Sequence, residues 1–199
     1  MNETCGGPSA EFCCNLKYLR LYGNGDKWSM FPNVEAPIAR AGVSDIVPFS
    51  STSFHYLKEL YVWRSDVLIS LLTPSIARTL VQLQRITIWK FKRMTEIVAN
   101  EGSEAEAEAG DEIAFNNLRY LRFDDLPSLI AFHLGNHTIK FPSLVDVYVN
   151  NCTKLKIFCS GVLSTPNLTS IWMEGMQIPK EEGERDLDLN AKFLLAEVR

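Results

Sequence analysis

One apolar template, L-x-x-L-x-L, recurs six times along the chain: Leu16, Leu19, Leu21; Leu57, Leu60, Val62; Leu83, Ile86, Ile88; Leu118, Leu121, Phe123; Leu144, Val147, Val149; and Leu168, Ile171, Met173. The first positions stand 41, 26, 35, 26 and 24 residues apart. Three of these spacings fall in the window of about 20 to 29 residues that stacked strand-plus-return repeats need, and the other two are that length plus an insertion. The register runs beyond the template. Phe54, Leu80, Phe115 and Phe141 stand three residues before a first position, and Asn24, Ser65, Phe91, Leu126, Cys152 and Met176 stand eight after. Leu68 and Leu71, Met94 and Ile97, Leu129 and Phe132, and Leu155 and Phe158 follow at eleven and fourteen. An amphipathic helix produces L-x-x-L by chance once or twice. It does not produce six copies in register, nor Pro142 and Pro166 just ahead of two of them.

Positions four and six alternate toward one side of a short strand, and position one turns in to complete the layer. A single copy cannot bury that face. Neighbouring copies side by side pair their strands into a parallel sheet and share one core. Six or so apolar side chains per repeat, at about 1.5 to 3 kcal/mol each, contribute on the order of 10 kcal/mol before chain entropy is subtracted. The expected fold class is α/β: a leucine-rich-repeat solenoid, with a curved parallel sheet on its concave face and irregular or short helical return segments. Residues 1–11 are expected as a disordered extension and 12–179 as an array of about six repeats with insertions at 25–53 and 98–114. Residues 180–199 are expected as a cap or tail, closed by a short helix carrying Leu187, Leu189, Phe193 and Leu194. In the first insertion Pro32, Pro37 and Pro48 break regular structure, which suggests a loop on the convex side. The second contains GSEAEAEAGDE, acidic and without a bulky side chain, and reads as a solvated loop.

Several phrases resemble a known family. LVQLQRITIWKFKRMTEIVANEG (80–102), DEIAFNNLRYLRFDDLPSLIAF (111–132), FPSLVDVYVNNCTKLKIF (141–158) and GVLSTPNL (161–168) are similar to successive repeats of plant nucleotide-binding leucine-rich-repeat disease-resistance proteins of the coiled-coil-bearing type. The repeat containing Cys152 resembles the cysteine-bearing variant of plant intracellular arrays. The resemblance covers residues 54–176 well, 10–53 loosely and the ends hardly at all. There is no G-x-x-x-x-G-K-[ST] phosphate loop, so the nucleotide-driven switch of such receptors is not in this sequence, which reads as a fragment or truncated product. The resemblance implies a protein-recognition role in defence: sensing a pathogen effector or host guardee, or holding the receptor's nucleotide-binding domain inactive.

A formal net charge of -4 offers no global attraction to nucleic acid or anionic membrane. No run of 18 apolar residues and no signal peptide is found, and the odd set Cys5, Cys13, Cys14, Cys152 and Cys159 does not suggest a disulfide framework. A reducing, cytoplasmic setting is expected. The sequons at Asn2, Asn136, Asn151 and Asn167 leave an extracellular receptor fragment as the alternative, and a non-functional remnant as another.

The chemistry is sparse. His55, His133 and His137 are the only neutral-pH bases, with neither H-E-x-x-H nor G-x-S-x-G, so no enzyme and no cofactor is expected. His133 and His137, four apart, could pair as metal ligands on a helical face, but His133 follows the packed Phe132 in an expected return segment, so no metal site is expected. Cys152 and Cys159 read as buried thiols filling small inward sites. The outward strand positions are richer: Arg20 and Tyr22, Tyr61 and Trp63, Thr87 and Trp89, Arg122 and Asp124, Tyr148 and Asn150, Trp172 and Glu174. From these, Tyr22, Tyr61, Trp63, Trp89, Arg122, Tyr148 and Trp172 are the candidate partner-binding residues, because aromatic and arginine side chains desolvate large area at low entropic cost. The same aromatics could equally serve to stabilise neighbouring strands.

Overall fold

The computed structural model describes residues 17–24, 27–30, 34–37, 54–66, 68–100, 111–179 and 188–196. Each template copy forms a strand: β1 (Tyr18–Asn24), β4 (Glu59–Ser65), β5 (Arg85–Phe91), β8 (Tyr120–Asp124), β11 (Asp146–Asn150) and β13 (Ser170–Met173). Between and after them lie β2 (Lys27–Met30), β3 (Val34–Pro37), α1 (Pro74–Thr79), β6 (Glu96–Val98), β7 (Glu112–Ala114), β9 (Ala131–His133), β10 (Thr138–Lys140), β12 (Leu163–Ser164), β14 (Met176–Ile178) and α2 (Leu189–Ala196).

The main sheet has the order β14-β13-β11-β8-β5-β4-β1-β2-β3. Its six template strands are parallel and in one register, so Leu19, Leu60, Ile86, Leu121, Val147 and Ile171 lie in a single row. Two shorter parallel ladders accompany it. β6 pairs with β9, and isolated bridges join Leu72 to Val98 and His133 to Cys159, extending that ladder over four repeats. β10 lies between β7 and β12. In the preceding repeat the position of β7 is taken by α1, which Thr73 starts by accepting a hydrogen bond from the Ile76 N–H at 3.2 Å, with Pro74 in the first turn.

The inward columns are buried as their spacing requires. Leu83, Ile86, Ile88, Leu118, Leu121 and Phe123 are all 0% exposed. Phe54, Leu80, Phe115 and Phe141 are buried too, and each carbonyl accepts from the N–H of the first template position three residues on; in the last repeat Thr165 takes the same part. Along the core, Phe132 stacks on Phe158 at 5.1 Å and Phe115 on Phe141 at 5.3 Å, edge to face in the cross pair Phe132–Phe141 at 5.3 Å. A polar clasp recurs outside the core. Asn117, Ser143 and Asn167, each just before a first position, donate at 2.7 Å to the carbonyls of Val81, Asn116 and Pro142 in the preceding repeat.

Both expected insertions need correction. Within 25–53 the described residues 27–30 and 34–37 are strands and not irregular loop, and the rest lies outside the described residues. β2 and β3 continue the main sheet antiparallel from β1, and Pro37 sits in the outermost strand, the place in a sheet where proline is tolerated. The margins of 98–114 belong to the coil: Val98 and Ile113 are fully buried strand residues. The expected extension 1–11 lies outside the described residues. At the other end α2 closes the core with Leu189 and Phe193, the latter stacked 6.1 Å from Phe158. Leu187 lies outside the described residues. Asn190 Oδ1 accepts from the N–H groups of Phe158 and Cys159 at 2.8 and 3.1 Å, and its Nδ2 donates to the Cys159 carbonyl at 3.0 Å. The amide thus satisfies the backbone groups that a further repeat would otherwise pair.

Because Leu121 is shared by the strands on both sides, Leu121→Asp places an unpaired carboxylate in the common core. We expect it to cost more than about 4 kcal/mol and to remove cooperative unfolding, read by circular dichroism on urea titration. Retention of the wild-type midpoint would contradict the shared core.

Candidate functional site

Alternation along each template strand puts the residues between the inward rows on the outer face of the main sheet. Register assembles the candidate residues into two rows: Arg20, Tyr61, Thr87, Arg122, Tyr148 and Trp172; and Tyr22, Trp63, Trp89, Asp124 and Asn150. Tyr22 is placed by its backbone only. Glu174 leaves the second row, because β13 ends at Met173 and Glu174 turns the chain into β14 with φ 49°.

The aromatic residues meet one another across the strands. Trp63 and Trp89 stack at 5.6 Å, and Tyr148 and Trp172 at 5.8 Å. Arg20 lies over Tyr61 at 5.4 Å and Lys90 over Trp89 at 4.7 Å. These contacts do not hide the rings: Trp63 remains 47% exposed and Trp89 39%. Arg122 pairs with Asp124 at 2.8 Å, which raises its pKa, and Asn150 Nδ2 donates to the other Asp124 oxygen at 3.1 Å. The Arg122, Tyr148, Trp172 and Asn150 side chains, with Gly175, line a cleft of about 210 Å³. It is large enough for a partner's side chain and too small for a ligand of drug size.

A third outward row was missed in the sequence: Tyr18, Glu59, Arg85, Tyr120, Asp146 and Ser170. The same alternation, carried one step toward the strand start, would have found it. Tyr120 bridges the rows, under Arg85 at 4.2 Å and beside Tyr148 at 5.0 Å. The Tyr61 hydroxyl donates to Glu59 at 2.9 Å, and burial followed by this bond raises the phenol's pKa. A fourth set, with no sequence signal, stands at the strand ends. Arg64, Lys90, Asp125 and Asn151 hold φ of 57°, 61°, 58° and 51°. This is a left-handed conformation that asparagine and aspartate tolerate and that costs arginine and lysine about 1 kcal/mol or more.

The histidines lie elsewhere and not on a helix. His133 is fully buried in β9, and its Nδ1 donates to the Val98 carbonyl at 3.0 Å. Because that carbonyl can only accept, Nε2 is the acceptor for His137 Nδ1, also at 3.0 Å. His137 Nε2 lies 3.7 Å from Asp111, which is ion-paired to Arg78. Among the described residues no three metal-ligating side chains converge. Cys152 and Cys159 are buried free thiols, and burial pushes the Cys152 pKa up to about 12, so it is poorly suited to act as a nucleophile. Among the described residues no helix is long and apolar enough to cross a membrane.

One strand per repeat in a common parallel sheet, apolar rows inside and a polar-aromatic face outside, defines a repeat protein of the leucine-rich class. The chain belongs to the family described as plant disease resistance protein RPS2-like, leucine-rich repeats, whose profile matches residues 43–172. No curated protein and no solved structure gives a match.

The histidine pair generates a pH dependence. Burial, reinforced by His137, holds the His133 pKa below its ordinary 6.5 against the opposing Val98 bond. Below that value the unfolded chain takes up a proton that the folded chain refuses, so stability is present above pH 6.5 and is lost as pH falls. Urea midpoints across mildly acidic pH should fall more steeply for wild type than for His133→Gln; equal slopes would remove His133 as the cause.

Proposed function

We propose that this chain is a protein-recognition module of plant defence. In this reading the repeats form a solenoid whose main sheet is the concave recognition face. The observation that carries the proposal is the outer face itself: three registered rows in which stacked aromatic pairs stay accessible beside arginines and carboxylates. Tyr61, Trp63, Trp89, Arg122, Tyr148 and Trp172, with Tyr22 by position, are the contact residues, and the cleft at Arg122 and Trp172 receives one anchoring side chain. The partner is a protein: a pathogen effector, a host protein under surveillance, or the nucleotide-binding domain of a receptor that the repeats hold inactive. The module acts by binding and not by catalysis, without a cofactor, in the cytoplasm.

The extracellular alternative is less well supported. Two of its sequon amides are already engaged: Asn151 Nδ2 donates to Asp125 at 2.7 Å and Asn167 Nδ2 to the Pro142 carbonyl at 2.7 Å. A glycan on either nitrogen would remove a hydrogen and crowd the neighbouring repeat.

The test compares pull-downs from plant cell extract by wild type and by the triple variant Trp63→Ala, Trp89→Ala, Trp172→Ala. A partner retained by wild type should be lost at least tenfold by the variant, whose stability falls only by the stacking energy, about 0.5 to 1.5 kcal/mol per pair. A variant that melts as badly as Leu121→Asp would show that these residues do not form an outer face.

A further inference from the structure

The outer face is electrically divided along the array. On β1, β4 and β5 the outward and strand-end positions carry Arg20, Arg64, Arg85, Lys90 and Lys92 against two carboxylates, Glu59, which already accepts from Tyr61, and Asp66, 3.5 Å from Lys92. On β8, β11 and β13 they carry Asp124, Asp125, Asp146 and Glu174 against one cation, Arg122, itself paired to Asp124. The sign changes between β5 and β8, which are adjacent strands. The exposed Trp63–Trp89 stack lies wholly on the basic side.

Resting on the recognition role of this face, we propose that its basic, tryptophan-bearing half binds a short acidic peptide segment carrying an aromatic or large aliphatic side chain. Carboxylates pair with the cations, and the apolar side chain covers the indoles. Three strands at about 4.8 Å spacing span about 10 Å, the reach of three or four extended residues. Beyond that reach the carboxylates of β8, β11 and β13 repel a continuing anion, so the segment must be short or turn basic. Single-stranded nucleic acid shares the preference for cations and aromatic faces. Its uninterrupted phosphates would run onto the acidic half, and the division of the face therefore favours the peptide.

The experiment measures fluorescence anisotropy of labelled probes titrated with the full chain. The probes are a peptide of about four residues with Phe between glutamates, the same peptide with lysine for glutamate, and a single-stranded oligonucleotide of about ten nucleotides. The glutamate peptide should bind tightest and weaken as salt rises. Lys90→Glu should weaken it about tenfold or more, a change in free energy of about 1.4 kcal/mol. Lys90→Asn, better suited to the left-handed backbone there, should weaken it several-fold while the urea midpoint holds or rises. Equal or tighter binding of the lysine peptide, lost on Trp63→Ala and Trp89→Ala, would overturn the charge assignment and leave the recognition face standing. Tighter binding of the oligonucleotide would overturn the peptide class. Binding that no tryptophan change affects would overturn the recognition face as well.

Discussion

Everything in this chain depends on strands from successive repeats keeping one register. A repeat of this size has too few apolar side chains to pay for its own ordering, so each strand must complete its neighbour's layer. The row from Leu19 to Ile171 is the physical form of that requirement, and a slip of one residue in any strand would turn its inward leucines to solvent and its outward aromatics into the core. The left-handed residues at the strand ends follow from the same constraint. Arg64 and Lys90 adopt an unfavourable backbone because the chain must leave every strand at the same angle to enter the next ladder.

Register is held by polar as well as apolar means. Asn117, Ser143 and Asn167 each reach back one repeat to a carbonyl that the coil leaves open. At the C-terminal side Asn190 performs a related task, offering one side-chain amide where another repeat would offer a peptide group. Buried backbone groups tolerate no vacancy, and these side chains meet that demand where the repeat pattern stops or bends. His133 belongs to this set: in the core ladder its ring links the Val98 carbonyl to His137, which makes it a structural brace.

The outer face is the consequence of having everything apolar assigned inward. Between the inward rows stand aromatic stacks, ion pairs and a change of charge sign along the array. Stacking does not hide these residues: Trp63 and Trp89 hold each other in a fixed orientation and still expose their surfaces.

The sequence by itself determined the repeat, the identity of the inward rows and the two outward rows, because burial imposes a period on residue type that survives without any knowledge of contacts. Tyr61, Trp63, Trp89, Arg122, Tyr148 and Trp172 were all legible in that way. The tertiary structure alone decided what no period records: that β2 and β3 extend the sheet where prolines suggested a loop, and that the row from Tyr18 to Ser170 joins the face. It also decided that arginine and lysine stand in left-handed backbone, and that two histidines share a hydrogen bond inside the core. The registered row depends on partners that come from repeats some 25 residues away in sequence, and the other features depend on backbone conformation and hydrogen-bond geometry that no apolar period records.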